Sequence, residues 1–230
     1  MKVLAIIPAY NEEENIVSTV EDLLENAPGV DYVIIDDGSR DRTREICEER
    51  SFHFVSLPVN LGLAGGFQAG MKYALERGYD YAVQFDADGQ HSAAYVWPMV
   101  ERAESTGSDI VVGSRFCAQK KPFSARMVGS ALITAIIKLT TGQKIEDPTS
   151  GMRLFDKEMI RAFACNYDYS PEPDTLALVI LSGGKVSEIQ VEMRDRTAGE
   201  SYLNFTKSVA YMLRVCISIL FVQWFRKKGC

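Results

Sequence analysis

Two aspartates one residue apart, Asp86 and Asp88, are the side chains whose type and spacing best suit chemistry. They follow the apolar residues 81–83 and precede Gly89 and Gln90, a pattern that predicts a strand ending in hard oxygen ligands. Mg²⁺ and Mn²⁺ prefer such ligands and usually keep positions open for substrate phosphate. Paired acids are also common in exposed turns, so the pair indicates a metal site only together with other motifs.

Polar residues close two earlier predicted strands as well. Asp36 and Asp37 end the second strand, where a carboxylate can accept hydrogen bonds from a nucleobase or a ribose. An Asx turn or a helix cap is an equally good interpretation of this pair. Pro8, Tyr10 and Glu12 end the first strand and could wall a base, although such a turn also suits helix capping.

Short apolar runs alternate with helical patterns in the first half of the chain. Strands are predicted at 3–7, 32–35, 54–57, 81–85 and 109–112, and helices at 15–25, 43–50, 65–77 and 94–105. This alternation predicts an α/β fold with βαβ units and a mostly parallel sheet, in which ligands bind at the carboxyl ends of strands. The Gly-rich residues 60–66 match neither a Walker loop nor a dinucleotide fingerprint, which argues against ATPases and nicotinamide dehydrogenases.

The second half of the chain ends in an apolar segment. Its predicted elements are helices at 126–141, 157–164 and 176–182, a strand at 186–191 and the apolar stretch 208–225. That stretch is slightly short for a membrane span and contains Arg214, so it predicts an interfacial helix, with a helix buried on the domain as the alternative. The basic residues 226–228 suit an anionic lipid surface. We expect a catalytic domain at 1–204 and a membrane-associating helix at 205–230.

Composition limits the class of the protein. A chain of 230 residues with 47% hydrophobic content and a net charge of −6 has ample core and does not suit a general nucleic-acid binder. The five cysteines are odd in number and widely spaced, as in a reduced cytosolic protein. The apolar run at the N-terminus is too short for a signal peptide.

Several motifs occur in order and together resemble the family-2 glycosyltransferases with a GT-A fold. They are Pro-Ala-Tyr-Asn-Glu-Glu at 8–13, Val-Ile-Ile-Asp-Asp-Gly-Ser at 33–39, Asp-Ala-Asp-Gly-Gln-His at 86–91 and Gly-Ser-Arg-Phe at 113–116. Two more, Asp-Pro-Thr-Ser-Gly-Met-Arg at 147–153 and Arg-Thr-Ala-Gly-Glu-Ser at 196–201, are similar to the dolichol-phosphate mannose synthase-like branch. That branch loads a sugar onto a polyprenyl phosphate.

The resemblance implies three groups of site residues. The residues expected to contact the nucleotide are Pro8, Tyr10, Glu12, Asp36, Asp37 and Ala87. Those expected to bind the metal and the diphosphate are Asp86, Asp88 and Gln90. The cations expected to contact the diphosphate or the acceptor phosphate are Arg115 and Arg196. It also implies Mg²⁺ or Mn²⁺ as cofactor, because a metal with fixed cations stabilises the charge on a departing nucleoside diphosphate.

An inverting transferase is therefore expected, with a UDP- or GDP-sugar donor carrying a hexose or an N-acetylhexosamine. The expected acceptor is undecaprenyl or dolichyl phosphate at the cytoplasmic face of the membrane. A phosphate acceptor needs no general base, whereas a saccharide hydroxyl would need one, and Glu172 and Asp174 are candidates that could equally cap a helix.

Two other functions remain open. One is transfer to a saccharide hydroxyl in polysaccharide synthesis, and the other is a non-catalytic nucleotide-sugar-binding subunit of a membrane complex. A small membrane protein, or a second copy of this chain, is a further possible partner through the C-terminal helix.

Overall fold

The computed structural model describes residues 1–119, 125–166, 169–194 and 205–221. Its strands are β1 (Val3–Ala9), β2 (Asp31–Asp36), β3 (Phe54–Ser56), β4 (Tyr81–Gln84), β5 (Ile110–Ser114), β6 (Arg153–Asp156) and β7 (Val186–Gln190). They form one sheet in the order β3-β2-β1-β4-β6-β5-β7. All neighbours are parallel except β6, which runs antiparallel to β4 and β5. The predicted α/β fold with a mostly parallel sheet is thus confirmed.

Helices cover both faces of the sheet. They are α1 (Ile16–Asn26), α2 (Thr43–Glu49), α3 (Gly62–Arg77), α4 (Val96–Thr106), α5 (Ala125–Thr141), α6 (Lys157–Cys165), α7 (Pro173–Leu181) and α8 (Phe205–Leu220), with a 3₁₀ turn at Ala93–Tyr95. Side chains alternate between the faces of β1: Leu4 and Ile6 pack with α3, whereas Ala5 and Ile7 pack on the opposite side. Burial on both faces explains why this strand is almost wholly apolar.

Strand β6 is absent from the elements that the sequence predicts. It is four residues long and begins with Arg153, whose side chain is only 2% exposed. A buried arginine in a central strand runs against strand composition, so a hydrophobic pattern does not reveal it. The guanidinium is satisfied by the backbone carbonyl groups of Ser150, Pro148 and Glu172, at 2.7 to 3.1 Å.

Helix α8 begins three residues before the apolar stretch predicted from the sequence and packs against α5 and α7. Val215 and Ile219 are buried in the core, whereas Leu213, Ile217 and Phe221 are each more than half exposed. Among the described residues, no helix combines the length and the apolar character needed to cross a membrane. The predicted domain boundary after residue 204 borders residues 195–204, which lie outside the described part of the chain.

Candidate functional site

A cavity of about 450 Å³ opens where β1, β2 and β4 end. The structure places seven of the predicted site residues on its wall: Pro8, Tyr10, Glu12, Asp37, Asp86, Ala87 and Asp88. They come together because the carboxyl ends of neighbouring parallel strands share one edge of a sheet. The first turn of α3 supplies a further wall, with Leu63 and Gly66.

The two aspartates at the end of β2 have different surroundings. Asp37 lines the cavity, and its Oδ1 accepts a hydrogen bond from the Leu61 N–H at 2.7 Å. Asp36 is 1% exposed; its carboxylate accepts the Ser39 N–H at 3.0 Å and the Ser56 hydroxyl at 2.7 Å. Asp36 thus fixes the turn and joins β2 to β3, while Asp37 presents a carboxylate to the cavity.

Gly38 allows the chain to turn tightly behind Asp37. Its φ is 69°, and a Cβ atom there would lie 3.0 Å from the backbone of Val59 and Asn60. A left-handed conformation with so little space favours glycine. The Gly38 turn therefore brings the 59–61 segment against Asp37 and fixes one wall of the cavity.

The Asp86 and Asp88 carboxylates are each held by a local hydrogen bond. Asp86 Oδ1 accepts the Gln84 side-chain amide at 3.0 Å, and Asp88 Oδ1 accepts the Gln90 backbone N–H at 3.1 Å. Gln90 therefore supports Asp88 through its backbone. The Asp86 side chain is 32% exposed, and the Asp86 N–H donates to Nδ1 of the buried His91 at 2.9 Å.

These two carboxylates fit a hard divalent cation. Among the described residues there is no cluster of three or more His, Cys, Asp or Glu side chains that could hold a metal ion. Mg²⁺ is commonly held by one or two carboxylates together with water and substrate phosphates, which matches two aspartates on one cavity wall. The donor set thus suits a metal shared with a phosphate-bearing ligand.

Arg115 lies one residue beyond β5 and pairs with the fully buried Asp147. Its Nε and Nη2 donate to the two carboxylate oxygens at 2.6 and 2.8 Å, a bidentate geometry. Glu188 in turn accepts the backbone N–H groups of Glu146 and Asp147 at 2.7 and 2.9 Å. Burial raises the pKa of Glu188, and these two hydrogen bonds oppose that rise. Asp147, whose backbone Glu188 holds in turn, therefore fixes the orientation of the Arg115 side chain.

Asp147 belongs to the 147–153 motif, but the motif alone assigns it no role. A buried partner for Arg115 becomes visible only when β5 and that loop meet in space. Arg115 is not among the residues that line the main cavity, and the predicted cation Arg196 lies outside the described residues.

Residues 170–174, here called the acidic turn, lead into the first turn of α7 and contact the polar face of α8. The Glu172 carboxylate accepts the Tyr211 hydroxyl and lies 3.4 Å from Nη2 of Arg214. Asp174 Oδ2 accepts the Ser218 hydroxyl at 2.6 Å. Burial, with the nearby Glu172, raises the pKa of Tyr211, so its hydroxyl stays protonated and donates. The predicted general-base candidates are thus engaged with a helix.

A second, smaller cavity of about 260 Å³ lies between this acidic turn and α8. Ala64, from the first turn of α3, lines it, while the adjacent Leu63 lines the main cavity. Arg153 links the acidic turn to the 147–151 loop, because it donates to carbonyl groups in both. Arg153 therefore joins the turn to the loop, and two adjacent residues of α3 line the two cavities.

Comparisons with known proteins agree with these features. The family model described as glycosyl transferase family 2 matches residues 4–163, more than half of the chain. The undecaprenyl-phosphate mannosyltransferase of Micrococcus luteus is 30% identical over 217 residues, which cover 89% of this chain and 88% of that protein. The polyprenol monophosphomannose synthase of Mycolicibacterium smegmatis is 27% identical over 228 residues, covering 93% and 85%.

A solved structure shares the fold. Glucosyl-3-phosphoglycerate synthase from Mycobacterium tuberculosis, in complex with Mn²⁺, UDP-glucose and phosphoglyceric acid, aligns with a TM-score of 0.67. The alignment covers 94% of this chain and 79% of that chain at 19% identity, so it supports a common fold alone. The GT-A-like architecture expected from the motifs is thereby confirmed.

Proposed function

Because this chain belongs to glycosyl transferase family 2, we propose that it transfers a sugar from a nucleotide-diphosphate sugar to a polyprenyl phosphate. The observation that carries the proposal is that Asp37, Asp86 and Asp88 line one shared cavity. The similarity to an undecaprenyl-phosphate mannosyltransferase over 89% of the chain supports the lipid phosphate as acceptor.

Each wall of the cavity has a distinct task in this reaction. Pro8 and Tyr10 flank the base, and the Asp37 carboxylate accepts hydrogen bonds from the nucleoside. Asp86 and Asp88 would hold Mg²⁺ or Mn²⁺, which would supply positive charge to neutralise the diphosphate. Because Gln84 and Gln90 fix these two carboxylates in advance, a metal held by them would need little reorganisation when charge develops on the diphosphate.

The bond changes are those of a direct displacement. An oxygen of the acceptor phosphate forms a bond to the anomeric carbon, and the bond from that carbon to the donor diphosphate breaks. The electron pair leaves with the nucleoside diphosphate, so the anomeric configuration inverts. Arg115, held against Asp147, carries N–H groups beyond the two that Asp147 accepts, and these can bind an incoming or departing phosphate.

A phosphate acceptor also agrees with the acidic turn. It is already anionic near neutral pH, so no base has to remove a proton from it. Glu172 and Asp174, the carboxylates that a hydroxyl acceptor would use, accept hydrogen bonds from Tyr211 and Ser218. This engagement favours transfer to a phosphate over transfer to a saccharide hydroxyl.

Membrane association follows from the same acceptor, whose hydrocarbon tail stays in the bilayer. Helices α5 and α8 pack together and expose large apolar side chains, which are Val128, Leu132, Leu139, Leu213 and Ile217, and Phe221 directly after α8 is exposed as well. This apolar surface suits insertion into the headgroup region of the cytoplasmic leaflet. Docking of a small membrane protein or of a second copy on the same surface stays a prediction from the sequence.

The test is transfer in a reconstituted system. Purified protein is incubated with undecaprenyl or dolichyl phosphate in liposomes and with a panel of UDP- and GDP-sugars, with Mn²⁺ or Mg²⁺ present. Mass spectrometry of the lipid fraction should reveal one glycosylated polyprenyl phosphate, and Asp88→Asn, as a matched control, should form it about 10²–10³-fold more slowly. Sugar found only on a saccharide acceptor, or donor binding without any transfer, would overturn the proposal.

A further inference from the structure

Two buried side chains bracket the Asp86 carboxylate. Gln84, which is 1% exposed, donates its side-chain amide to Asp86 Oδ1 at 3.0 Å. His91, which is 4% exposed, accepts the Asp86 backbone N–H on Nδ1 at 2.9 Å. The other ring nitrogen of His91, Nε2, lies 3.6 Å from Asp86 Oδ2. Gln84 and His91 therefore lie next to the backbone N–H and both carboxylate oxygens of Asp86.

Gln84 is an unfavourable residue for its position. It is the last residue of β4, between the buried apolar side chains of Val83 and Phe85. Among the described residues, none donates a hydrogen bond to its Oε1, which is fully buried. A buried carbonyl oxygen without a partner destabilises the folded state, and an apolar side chain of similar shape would avoid that loss. The hydrogen bond that the Gln84 side chain makes within the described part of the chain is the one to Asp86.

His91 has one protonation pattern that fits its contacts. Because a backbone N–H donates to Nδ1, that nitrogen carries a lone pair, and the proton of the neutral ring sits on Nε2. The Nε2–H group lies near Asp86 Oδ2, too far for a hydrogen bond but close enough for a favourable dipole. The ring also packs edge-on against Phe85, with centroids 5.6 Å apart, which fixes its orientation.

We propose that Gln84 and His91 are positioning residues that hold the Asp86 carboxylate in one orientation towards the donor diphosphate. The inference rests on the proposed function, since it assigns Asp86 to the diphosphate side of the cavity. The terminal torsion of an aspartate is broad, so an unsupported carboxylate would sample many orientations. The hydrogen bond from Gln84 to Oδ1 and the nearby Nε2–H group of His91 restrict that freedom before the ligand arrives, which is how outer residues tune a metal ligand.

The variant Gln84→Met separates positioning from a structural role. It keeps the side-chain length and removes both the amide donor and the unpaired carbonyl. We expect kcat and the affinity for Mn²⁺ to fall by about 10- to 100-fold, the usual effect of removing an outer-shell partner. We also expect the melting temperature without metal to equal or exceed that of the wild type. We thus expect kcat and Mn²⁺ affinity to fall while the melting temperature stays the same or rises.

The matched control is the same substitution at Gln68 in α3. Its amide donates to the carbonyl groups of Phe163 and Asn166 at 3.3 and 3.2 Å, contacts that join α3 to the end of α6. Gln68→Met should lower the melting temperature and leave kcat and Mn²⁺ affinity close to those of the wild type. A Gln-to-Met change that only alters packing would behave like this control.

His91→Asn tests the second positioning residue. The asparagine oxygen takes the place of Nδ1 and can still accept the Asp86 N–H, whereas nothing replaces Nε2. We expect a folded protein with a 10- to 100-fold lower affinity for Mn²⁺. His91→Phe, which loses the backbone contact as well, should be less stable than His91→Asn. Equal stability of the two variants would count against the assigned role of Nδ1.

The experiment measures three quantities for each variant. These are thermal unfolding without metal, Mn²⁺ binding in the presence of UDP or GDP by electron paramagnetic resonance, and transfer to lipid phosphate. Wild-type kcat and Mn²⁺ affinity in Gln84→Met, or a loss of stability as large as that of Gln68→Met, would overturn the positioning role. If the wild type binds Mn²⁺ but transfers nothing, the proposed function fails and the Mn²⁺ comparison alone decides the positioning role. A wild type that binds no Mn²⁺ overturns the positioning role, whereas the proposed function is then decided by the transfer assay alone.

Discussion

Replacing Gly151 with alanine should displace Asp86 and little else. A Cβ atom at this position would lie 2.5 Å from Asp86 Oδ2, whereas ordinary contact begins at 3.4 Å, so the carboxylate must move by about 0.9 Å. A misplacement of about 1 Å in a catalytic arrangement lowers the rate by about 10²-fold. The backbone of Gly151 is not left-handed, so alanine is tolerated there and reduces the entropy of the unfolded chain. We expect kcat/KM to fall by about 10²-fold with a melting temperature within a few degrees of the wild type.

Gly70→Ala is the matched control for this prediction. A Cβ atom at Gly70 would lie 2.2 Å from Cγ2 of Ile6, in the core between α3 and β1. Overpacking of this kind costs about 1–3 kcal/mol, so this variant should lose stability and keep its activity per folded molecule. The assays are transfer kinetics with Mn²⁺ and thermal unfolding for both variants. Wild-type kcat/KM in Gly151→Ala would refute the reasoning, because Asp86 would then tolerate displacement.

Four further predictions follow from the site and its surroundings. Asp88→Asn, or EDTA added to the wild type, should lower turnover by about 10²–10³-fold, the effect of losing a main electrostatic stabiliser; full activity in excess EDTA would contradict a metal role. Glu172→Gln should keep most of the transfer to lipid phosphate, since no base is needed and glutamine can still accept a hydrogen bond; a loss above about 10²-fold with intact donor binding would indicate a hydroxyl acceptor. Burial raises the pKa of Asp156 from 3.8 to about 6, so its charged form is disfavoured in the folded state, and stability is lost as pH rises between these values. Urea unfolding should therefore show that the stability advantage of Asp156→Asn over the wild type grows by about 1–2 kcal/mol from pH 4 to pH 7, after allowance for the partial exposure of this side chain. Parallel pH profiles of the two proteins would show that ionisation of Asp156 does not affect stability. Ile217→Glu, on the exposed face of α8, should reduce flotation with anionic liposomes at unchanged stability, while Leu24→Glu, on the exposed face of α1, should float like the wild type.

The sequence predicts the elements that depend on local pattern. The alternation of apolar runs and amphipathic helices is enough to place β1, β2 and β4 in a parallel sheet. Because carboxyl ends of such strands meet, the positions of Tyr10, Asp37 and Asp86 in the sequence already imply one cavity. Metal ligation and nucleotide contacts by these residues stay predictions until they are measured.

The remaining features depend on contacts between distant parts of the chain. Strand β6 buries Arg153, whose guanidinium donates to three carbonyl groups that come together only in the folded loops. Arg115 looks like a free cation in the sequence, yet Asp147, 32 residues later, holds it in place. Gln84 looks like an ordinary polar residue at a strand end, and its buried carbonyl becomes visible only in the packed sheet. Periodicity and motif spacing contain no information on such pairs.

Helix α8 resolves an ambiguity that its sequence contains. Its sequence is too apolar for exposure to water and too short to span a membrane. The reason is that one helix contacts the core, the acidic turn and the outside of the protein. Val215 enters the core, Ile217 faces outward, and Tyr211 and Ser218 bond to the carboxylates of the acidic turn. A lipid surface bound on the outward side would therefore meet the same helix that borders the smaller cavity. Glu172 and Asp174, which line that smaller cavity, already accept hydrogen bonds from Tyr211 and Ser218, and a phosphate acceptor, which needs no base, would make no demand on these two carboxylates.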